Sequence, residues 1–214
     1  MTTPMTAPLT PKGKRTRQRI LDVSMKLFAQ SGSNSTSLRG IAAEAGLSHA
    51  GVLRYFQDKD ALLIAVLEHR DEMDLSRALD EQGNVRAEVL TGNGPYTALR
   101  TLLEVVERNA TMPGVVELFL KVATEATHED HPAHDYFLAR YARLRRLLEP
   151  VFAAVLPDEP PAGITAAEAT EQLISILDGS QLQWLLSGGR IDLVADARRY
   201  LELLGIDLAD PAAD

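Results

Sequence analysis

Apolar residues recur at helical spacing along most of this chain, and this periodicity limits the fold more than any other sequence feature. One stretch places four of them at offsets of zero, three, four and seven, which is a single helix face: Leu38, Ile41, Ala42 and Ala45. No stretch shows the sustained alternation and β-branched enrichment that a strand requires. The sequence therefore predicts an all-α protein of about nine helices.

Capping residues, prolines and glycines indicate where these helices begin and end. Four helices are expected in the first part of the chain. The first runs from Lys14 to Gly32 and the second from Thr36 or Ser37 to Gly46, while the third and fourth begin at the capping residues Ser48 and Asp58. A larger helical region follows, with starts at Pro95 and Pro113, a helix capped by Asp130, an apolar helix over 165–187, and a last helix capped by Asp192.

Charge is distributed unevenly along the chain. Residues 1–60 hold nine Lys and Arg against four acids, a net of +5, whereas the remainder holds thirteen against twenty-six, a net of −13. A basic segment joined to an acidic body is typical of a protein that binds a polyanion through one end only. Chance unevenness on a solvated surface is the alternative until motifs are considered.

Composition excludes several classes of function. The chain has no cysteine, so disulfides, a thiol nucleophile and a thiolate zinc site are impossible, and this usage favours the cytoplasm. No segment approaches the roughly 18 continuous apolar residues that indicate a membrane span. We therefore expect a cytoplasmic protein with no membrane partner, no cofactor and no structural metal.

Residues 37–56 have the pattern of a helix-turn-helix, two short helices joined at Ala45–Ser48 with small residues where the helices cross. In that motif the start of the second helix enters the major groove, so the residues expected to read bases are Ser48, His49, Ala50 and Gly51, with Arg54 and Tyr55 one turn on. The expected phosphate contacts are Thr36, Ser37, Arg39 and Lys59. Four basic residues of the preceding arm can add counterion release: Lys12, Lys14, Arg15 and Arg17.

Several short motifs together resemble the DNA-binding domain of the tetracycline-repressor (TetR) family. They are Ile20-Leu21 to Leu27-Phe28, Gly32, Thr36-Ser37, Ile41-Ala42, Ala45-Gly46-Leu47-Ser48, and Phe56-x-x-Lys59-x-x-Leu62. The resemblance implies a sequence-specific regulator, a repressor that binds a palindromic operator in double-stranded DNA as a homodimer and is released by a small-molecule effector. It also implies three parts: a flexible arm over 1–13, a DNA-binding domain over 14–74, and an effector-binding and dimerisation domain over 75–214.

Two positions depart from the family pattern. The family commonly has Tyr where this chain has Leu53, and often His where it has Tyr55. A phosphate contact expected at position 53 is therefore in doubt, and Arg54 or Tyr55 is the candidate to replace it. In the alternative, Leu53 and Tyr55 simply pack beneath the domain.

The second domain offers less specific signals. The apolar character of 165–187 on every side predicts a partner, and a second copy is the simplest one. The expected interface residues are Leu173, Ile176, Leu177, Trp184, Leu193, Ala197, Leu201 and Leu204. An effector pocket between helices would be mostly apolar with a few polar groups, so the candidate lining residues, each of which also fits an ordinary core, are Met112, Phe119, Tyr136, Phe137, Gln181 and Trp184.

A cluster of metal-ligand residue types lies between His128 and Asp135. It permits a different function, an all-helical metal-dependent hydrolase that uses His128, His131 and His134. The alternative is a loop in which Asp130 caps the next helix. A third hypothesis keeps the fold but makes it a protein-interaction module. The basic first segment favours DNA binding over both, so we expect no enzymatic activity.

Overall fold

The structure is a computed structural model that describes residues 9–75, 78–80 and 85–208. Over these residues it contains nine α-helices, two short 3₁₀ segments and no strand, which confirms the predicted all-α fold. The chain divides into two compact units, one ending at Arg70 and the other beginning at Asp71. The helices are α1 (Pro11–Ser35), α2 (Leu38–Glu44), α3 (His49–Leu53), α4 (Lys59–Leu75), α5 (Gly94–Asn109), α6 (Pro113–Glu125), α7 (His134–Val155), α8 (Ala166–Leu186) and α9 (Ala195–Leu203).

The first unit forms around a core of apolar side chains from α1, α2, α3 and the first part of α4. Its innermost members are completely or almost completely buried: Ile20, Leu21, Phe28, Ile41, Val52, Leu62 and Leu67. They recur at helical spacing, so each helix turns one apolar face inward and leaves its polar face to solvent. Burial of this surface is the main contribution to the stability of the unit.

Local caps fix the helix boundaries within the first unit. The backbone N–H of Gly40 donates to Ser37 Oγ at 3.1 Å, that of Gly51 to Ser48 Oγ at 3.0 Å, and that of Ala61 to Asp58 Oδ1 at 2.7 Å. Each bond satisfies an N–H that has no partner within its helix. The predictions for Ser48 and Asp58 are confirmed, and Ser37 rather than Thr36 caps α2.

The ends of α1 differ from the prediction. The helix begins at Pro11, three residues before the expected Lys14, because the hydroxyl of Thr10 accepts from the Gly13 N–H and Pro11 suits a first helical position. At Gly32 the helix is interrupted with φ 77° and ψ 156°, so the glycine is extended rather than left-handed helical, and a last turn continues to Ser35. Residues 1–8 of the predicted arm lie outside the described residues.

The second unit packs α5 to α9 and the end of α4 around a larger apolar core. The start of α8 is a capping box, in which the Thr165 hydroxyl accepts from the Glu168 N–H and the Glu168 carboxylate accepts from the Thr165 N–H. The prediction that Asp130 caps α7 is wrong, because that helix starts at His134 with no side-chain cap. Asp192 accepts from the Val194 and Ala195 N–H groups, as a cap would, although α9 itself starts at Ala195.

A buried carboxylate joins α4 to α7 inside the second unit. Asp71 is 6% exposed and accepts hydrogen bonds from Tyr136 Oη at 2.8 Å, Arg140 Nε at 3.1 Å and Arg143 Nη2 at 3.0 Å. Burial and the neighbouring Asp71 carboxylate raise the pKa of Tyr136, so its hydroxyl remains a neutral donor. The last turns of α4 are thereby attached to α7 by three charge-assisted bonds.

Within the described residues, no helix is both long enough and apolar enough to cross a membrane.

Candidate nucleic-acid interface and ligand cavity

The helix-turn-helix presents a group of polar side chains to solvent. Ser37 and Arg39 at the start of α2 are exposed, as are Ser48, His49 and Ala50 around the start of α3 and Arg54 at its end. Gly51 and Tyr55 are half-buried. The turn between the helices depends on Gly46, whose φ of 64° lies in the left-handed region that a side chain disfavours. The polar side chains at the two helix starts are therefore accessible from solvent.

Two of the predicted phosphate contacts have structural partners. Thr36 is 8% exposed and its hydroxyl donates to the Gly32 carbonyl at 2.9 Å, so this side chain secures the interruption at the end of α1 instead of facing solvent. The Lys59 ammonium donates to the Ser33 carbonyl at 3.1 Å. Since an ammonium has three donors, Lys59 keeps donors for a phosphate, whereas the buried Thr36 hydroxyl does not.

The two positions that depart from the family pattern have different surroundings. Leu53 is 40% exposed, so it does not pack beneath the domain. Tyr55 is half-buried next to Phe56, and the guanidinium of Arg17 lies over the Phe56 ring at 5.4 Å. Arg54 is exposed on the same turn.

A cavity of about 380 Å³ lies within the second unit, between the end of α4, the 3₁₀ segment Ala87–Val89, α5 and α7. This volume is at the lower end of the range for small-molecule sites, which is about 300 to 1,000 Å³. Aliphatic side chains form most of its wall, and the other lining residues are Asp74, Glu88, Gly94, Thr97 and Thr101. Such a cavity can hold a compact, mainly apolar molecule.

None of the six residues predicted to line an effector pocket lines this cavity. Tyr136 and Phe137 are buried in edge-to-face contact at 4.9 Å, and Trp184 is 7% exposed within the apolar core. Phe119 lies beneath the Arg140 guanidinium at 5.7 Å, while Met112 and Gln181 are half-buried elsewhere. The prediction favoured aromatic side chains, whereas aliphatic residues form most of the wall of this cavity.

Sequence reasoning also missed the polar residues of the cavity. Thr97 and Thr101 stand four residues apart on α5, which places them on one helix face, and this spacing was available in the sequence. Asp74 and Glu88 come from different elements, so only the tertiary structure brings them to one cavity.

Seven of the eight predicted interface residues belong to the core of a single chain, and this prediction is corrected. Leu173, Ala197 and Leu201 are at most 1% exposed, and the others range up to 7% except Ile176, which is half-buried against the same core. The exposed apolar residues of α8 and α9 are different ones: Leu182 at 51%, Leu186 at 79% and Leu203 at 58%. When a helix is apolar on every side, its sequence does not show which face packs in the core of its own chain and which face is left for a partner.

The His128–Asp135 segment is a folded turn before α7. The His131 Nδ1 accepts from the Ala133 N–H at 3.2 Å, and the His134 Nδ1 lies 2.8 Å from the Ala126 carbonyl. Among the described residues no three His, Asp or Glu side chains come close enough together to hold a metal ion. These contacts stabilise the turn. They give no support to the hypothesis of a metal-dependent hydrolase.

Two family models match the chain. Residues 20–66 match the tetR family of bacterial regulatory proteins, and residues 96–205, more than half of the 214, match the C-terminal domain of BetI-type transcriptional repressors. The chain belongs to the TetR family. It is therefore a DNA-binding transcriptional repressor of the dimeric, effector-responsive kind, and not an enzyme.

Relatives of this TetR-family regulator align over nearly its whole length. The BetI regulator of Burkholderia cenocepacia strain HI2424 is 30% identical over 195 residues, covering 88% of this chain and 93% of its own. The AcrR regulator of Shigella flexneri is 26% identical over 200 residues, covering 90% and 89%. The TetR resemblance inferred from short motifs is thus confirmed along the chain.

Solved structures share the fold. A TetR regulator from Haloarcula marismortui superposes with a TM-score of 0.73 at 20% identity, covering 90% of this chain and 97% of its own. NalD of Pseudomonas aeruginosa, the secondary repressor of the MexAB-OprM multidrug efflux pump, superposes with a TM-score of 0.61 at 24% identity, covering 91% and 95%. At these identities the likeness supports the fold alone.

Proposed function

We propose that this repressor binds a palindromic operator as a homodimer through α2 and α3, and that a small molecule in the cavity of the second unit releases it. The observation that carries the proposal is the exposed polar surface at the starts of α2 and α3 in a segment of net charge +5. A basic, exposed helix-turn-helix on an otherwise acidic chain favours DNA as the partner. Operators are in the cytoplasm, where we place the protein.

We assign base reading to His49, Ala50, Gly51 and Arg54, with Ser48 near the bases as the cap of α3. Arg54 is the candidate for a bidentate contact with guanine, or for the phosphate contact in doubt at Leu53. Ser37, Arg39 and Lys59 are assigned to phosphate, with Tyr55 beside them. Thr36 is left out of the assignment because its hydroxyl is engaged in the first unit.

Dimerisation is assigned to the exposed apolar faces of α8 and α9. Leu182 and Leu186 lie four residues apart on α8, so they share a face, and Gly179 precedes them on it with nothing within 4 Å of its Cβ position. Large exposed apolar side chains beside a small residue suit close helix packing against a second copy. We propose the domain division made from the sequence, with a DNA-binding part to about residue 74 and the rest for effector and partner.

The cavity is assigned to the effector because it is apolar, concave and lined by a few polar groups. Ligand binding that favours a conformation with weaker DNA contacts lowers operator affinity by the coupling free energy, typically about 1–3 kcal/mol.

The test begins with selection of random duplex DNA on the purified full-length protein, followed by affinity measurements on the enriched site. We expect a palindrome with half-sites about 10 base pairs apart, bound less tightly as salt rises. His49→Ala and Arg54→Ala should each weaken binding to that site by about tenfold or more, since a good base contact contributes about 1–3 kcal/mol.

Arg146→Ala is the matched control, because Arg146 is an exposed arginine on α7 outside the proposed interface. It should bind the operator as the unchanged protein does. Wild-type affinity in both the His49 and Arg54 variants, with circular dichroism showing intact helices, would contradict the assignment of the reading residues. Absence of any enriched site would contradict the proposed operator binding.

A further inference from the structure

The ionisable groups that line the cavity are two carboxylates, and they set the charge of a ligand that fits it. Asp74 stands in the last turn of α4 and Glu88 in the 3₁₀ segment, while the remaining lining residues are Leu, Val, Ala, Thr and Gly. Among the described residues, no lysine, arginine or histidine lines the cavity. A ligand with a negative group would therefore meet like charge at Glu88, in a site where apolar walls reduce screening and the Arg108 guanidinium is already paired with Asp74.

The two carboxylates differ in the hydrogen bonds and ion pairs that they form with other side chains. Asp74 Oδ1 accepts from Arg108 Nη2 of α5 at 2.5 Å, and the Asp74 side chain is 15% exposed. This ion pair engages the Asp74 carboxylate with a cation of its own chain. Glu88 is exposed and has no hydrogen-bond or ion-pair partner among the described residues. A cation entering the cavity thus meets an acceptor at Glu88 without having to break a protein contact.

The wall also indicates which kind of cation is suited to the site. None of the described residues that line the cavity is aromatic, so they cannot hold an ammonium group over ring faces. Thr97 and Thr101 offer hydroxyl groups and the two acids offer carboxylate oxygens, all of which accept N–H donors. A protonated amine is therefore better matched than a quaternary ammonium, which has no N–H to donate.

We propose that the effector is an amphipathic monocation, a protonated amine on a compact aliphatic body, whose charged group pairs with Glu88 in a cavity that Asp74 also lines. The aliphatic part occupies the surface formed by Leu102, Val105, Leu144 and their neighbours. This inference rests on the proposed function, in which the cavity is the effector site. It adds the charge and the donor chemistry of the ligand.

The experiment compares three probes that share one alkyl chain and differ only in charge: decylamine, which is protonated at neutral pH, decanol and decanoate. Their affinities for the full-length protein are measured by isothermal titration calorimetry. We expect decylamine to bind at least about tenfold more tightly than decanoate, with decanol between them, since hydrogen bonds to charged groups contribute about 1.5–3 kcal/mol. Replacing decylamine by its trimethylammonium analogue should weaken binding.

Glu88→Gln removes the charge of an exposed residue and should reduce decylamine affinity by about tenfold while leaving decanol affinity unchanged. Asp74→Asn should act in the same direction. The matched control is Glu104→Gln, an exposed acid on α5 that does not line the cavity, and it should leave all three affinities unchanged. Equal affinities of decylamine and decanoate, or no binding of decylamine, would overturn the inference.

A cavity-filling variant separates this inference from the proposed function. Ala98→Trp, with Thr101→Phe as a second variant, places a large ring in the cavity, and circular dichroism verifies the fold. Suppose that the three probes bind the unchanged protein equally well and that these variants abolish binding of every probe. The cavity is then the ligand site, and the charge preference is overturned. If probes still bind to the filled variants, the effector assignment itself fails. Operator affinity, measured without probes, reports on DNA binding independently of both.

Discussion

The carboxylate of Asp71 is surrounded by three donors from α7, and its charge holds two arginines in place. Arg140 and Arg143 have side chains 23% and 29% exposed, so both are partly removed from water around this acid. A paired, buried ion adds little net stability compared with an apolar core, but its loss leaves the partner charges uncompensated. Removal of the Asp71 carboxylate would therefore leave the charges of Arg140 and Arg143 without a counter-charge.

Asp71→Ala should lower the free energy of unfolding by about 3 kcal/mol, at the lower end of the effect for a buried pair because the two guanidinium groups keep some solvent. Tyr136→Phe should lower it by about 1 kcal/mol, since it removes one hydrogen bond. Urea denaturation followed by circular dichroism measures both. Asp158→Ala, at an exposed loop position, is the control and should change the free energy by less than about 0.5 kcal/mol. An Asp71 variant as stable as this control would show that the three contacts carry no stability.

At the scale of elements, the start of α5 is packed unusually closely against the 3₁₀ segment Ala87–Val89. A Cβ at Gly94 would lie 1.8 Å from the Glu88 carbonyl oxygen, which is a backbone atom and cannot rotate away. Gly94 and Val89 both line the cavity, so this close approach also shapes the ligand site. Glycine is required here for space, at an ordinary backbone conformation.

Gly94→Ala should therefore displace the 3₁₀ segment and lower the free energy of unfolding by about 1–3 kcal/mol, the usual cost of overpacking. Decylamine affinity should fall in the same variant because Glu88 moves with the segment. Thermal unfolding and calorimetry provide the two measurements. Gly40→Ala is the control, since its Cβ would make only an ordinary 3.5 Å contact within α2, where alanine favours the helix. Equal stability of the two variants would argue against the close contact at Gly94.

Features determined by a few neighbouring residues were predictable from sequence. Ser48 and Asp58 serve at the helix starts as expected, because a cap depends on the side chain and on an N–H two or three residues later. The early start of α1 at Pro11 was missed because the sequence of residues 1–11 resembles a disordered arm in composition, although Thr10 and Pro11 are themselves a start signal. The cavity was missed because four separate elements form it.

At the scale of the whole molecule, three of the nine large apolar side chains that are exposed among the described residues lie on α8 and α9. Leu186 is 79% exposed and Leu182 is 51% exposed, values that are unusual for leucines and that a second copy would reduce. The predicted interface residues on the same helices face inward, so the helices were identified correctly as apolar but the face was not. Periodicity alone could not separate the two faces, because core and exposed positions are both leucine-rich.

Leu186→Glu should disrupt the dimer, because it places a charge in the apolar centre of the proposed interface. Sedimentation velocity should show a shift toward monomer, and operator affinity should fall because a single reading head replaces two. Leu138→Glu is the matched control, since Leu138 is 60% exposed on α7. It should remain dimeric. A dimeric Leu186→Glu variant with full operator affinity would place the interface elsewhere.

The described residues that line the cavity belong to a single chain, so we expect each copy in a dimer to carry its own ligand site. When two equivalent sites bias one shared conformational equilibrium, occupancy of the first raises the affinity of the second. Release from the operator should then follow effector concentration more steeply than a simple hyperbola, up to a Hill coefficient of about 2, the number of sites. A cavity of this modest size would thereby give the cell a threshold response to its effector.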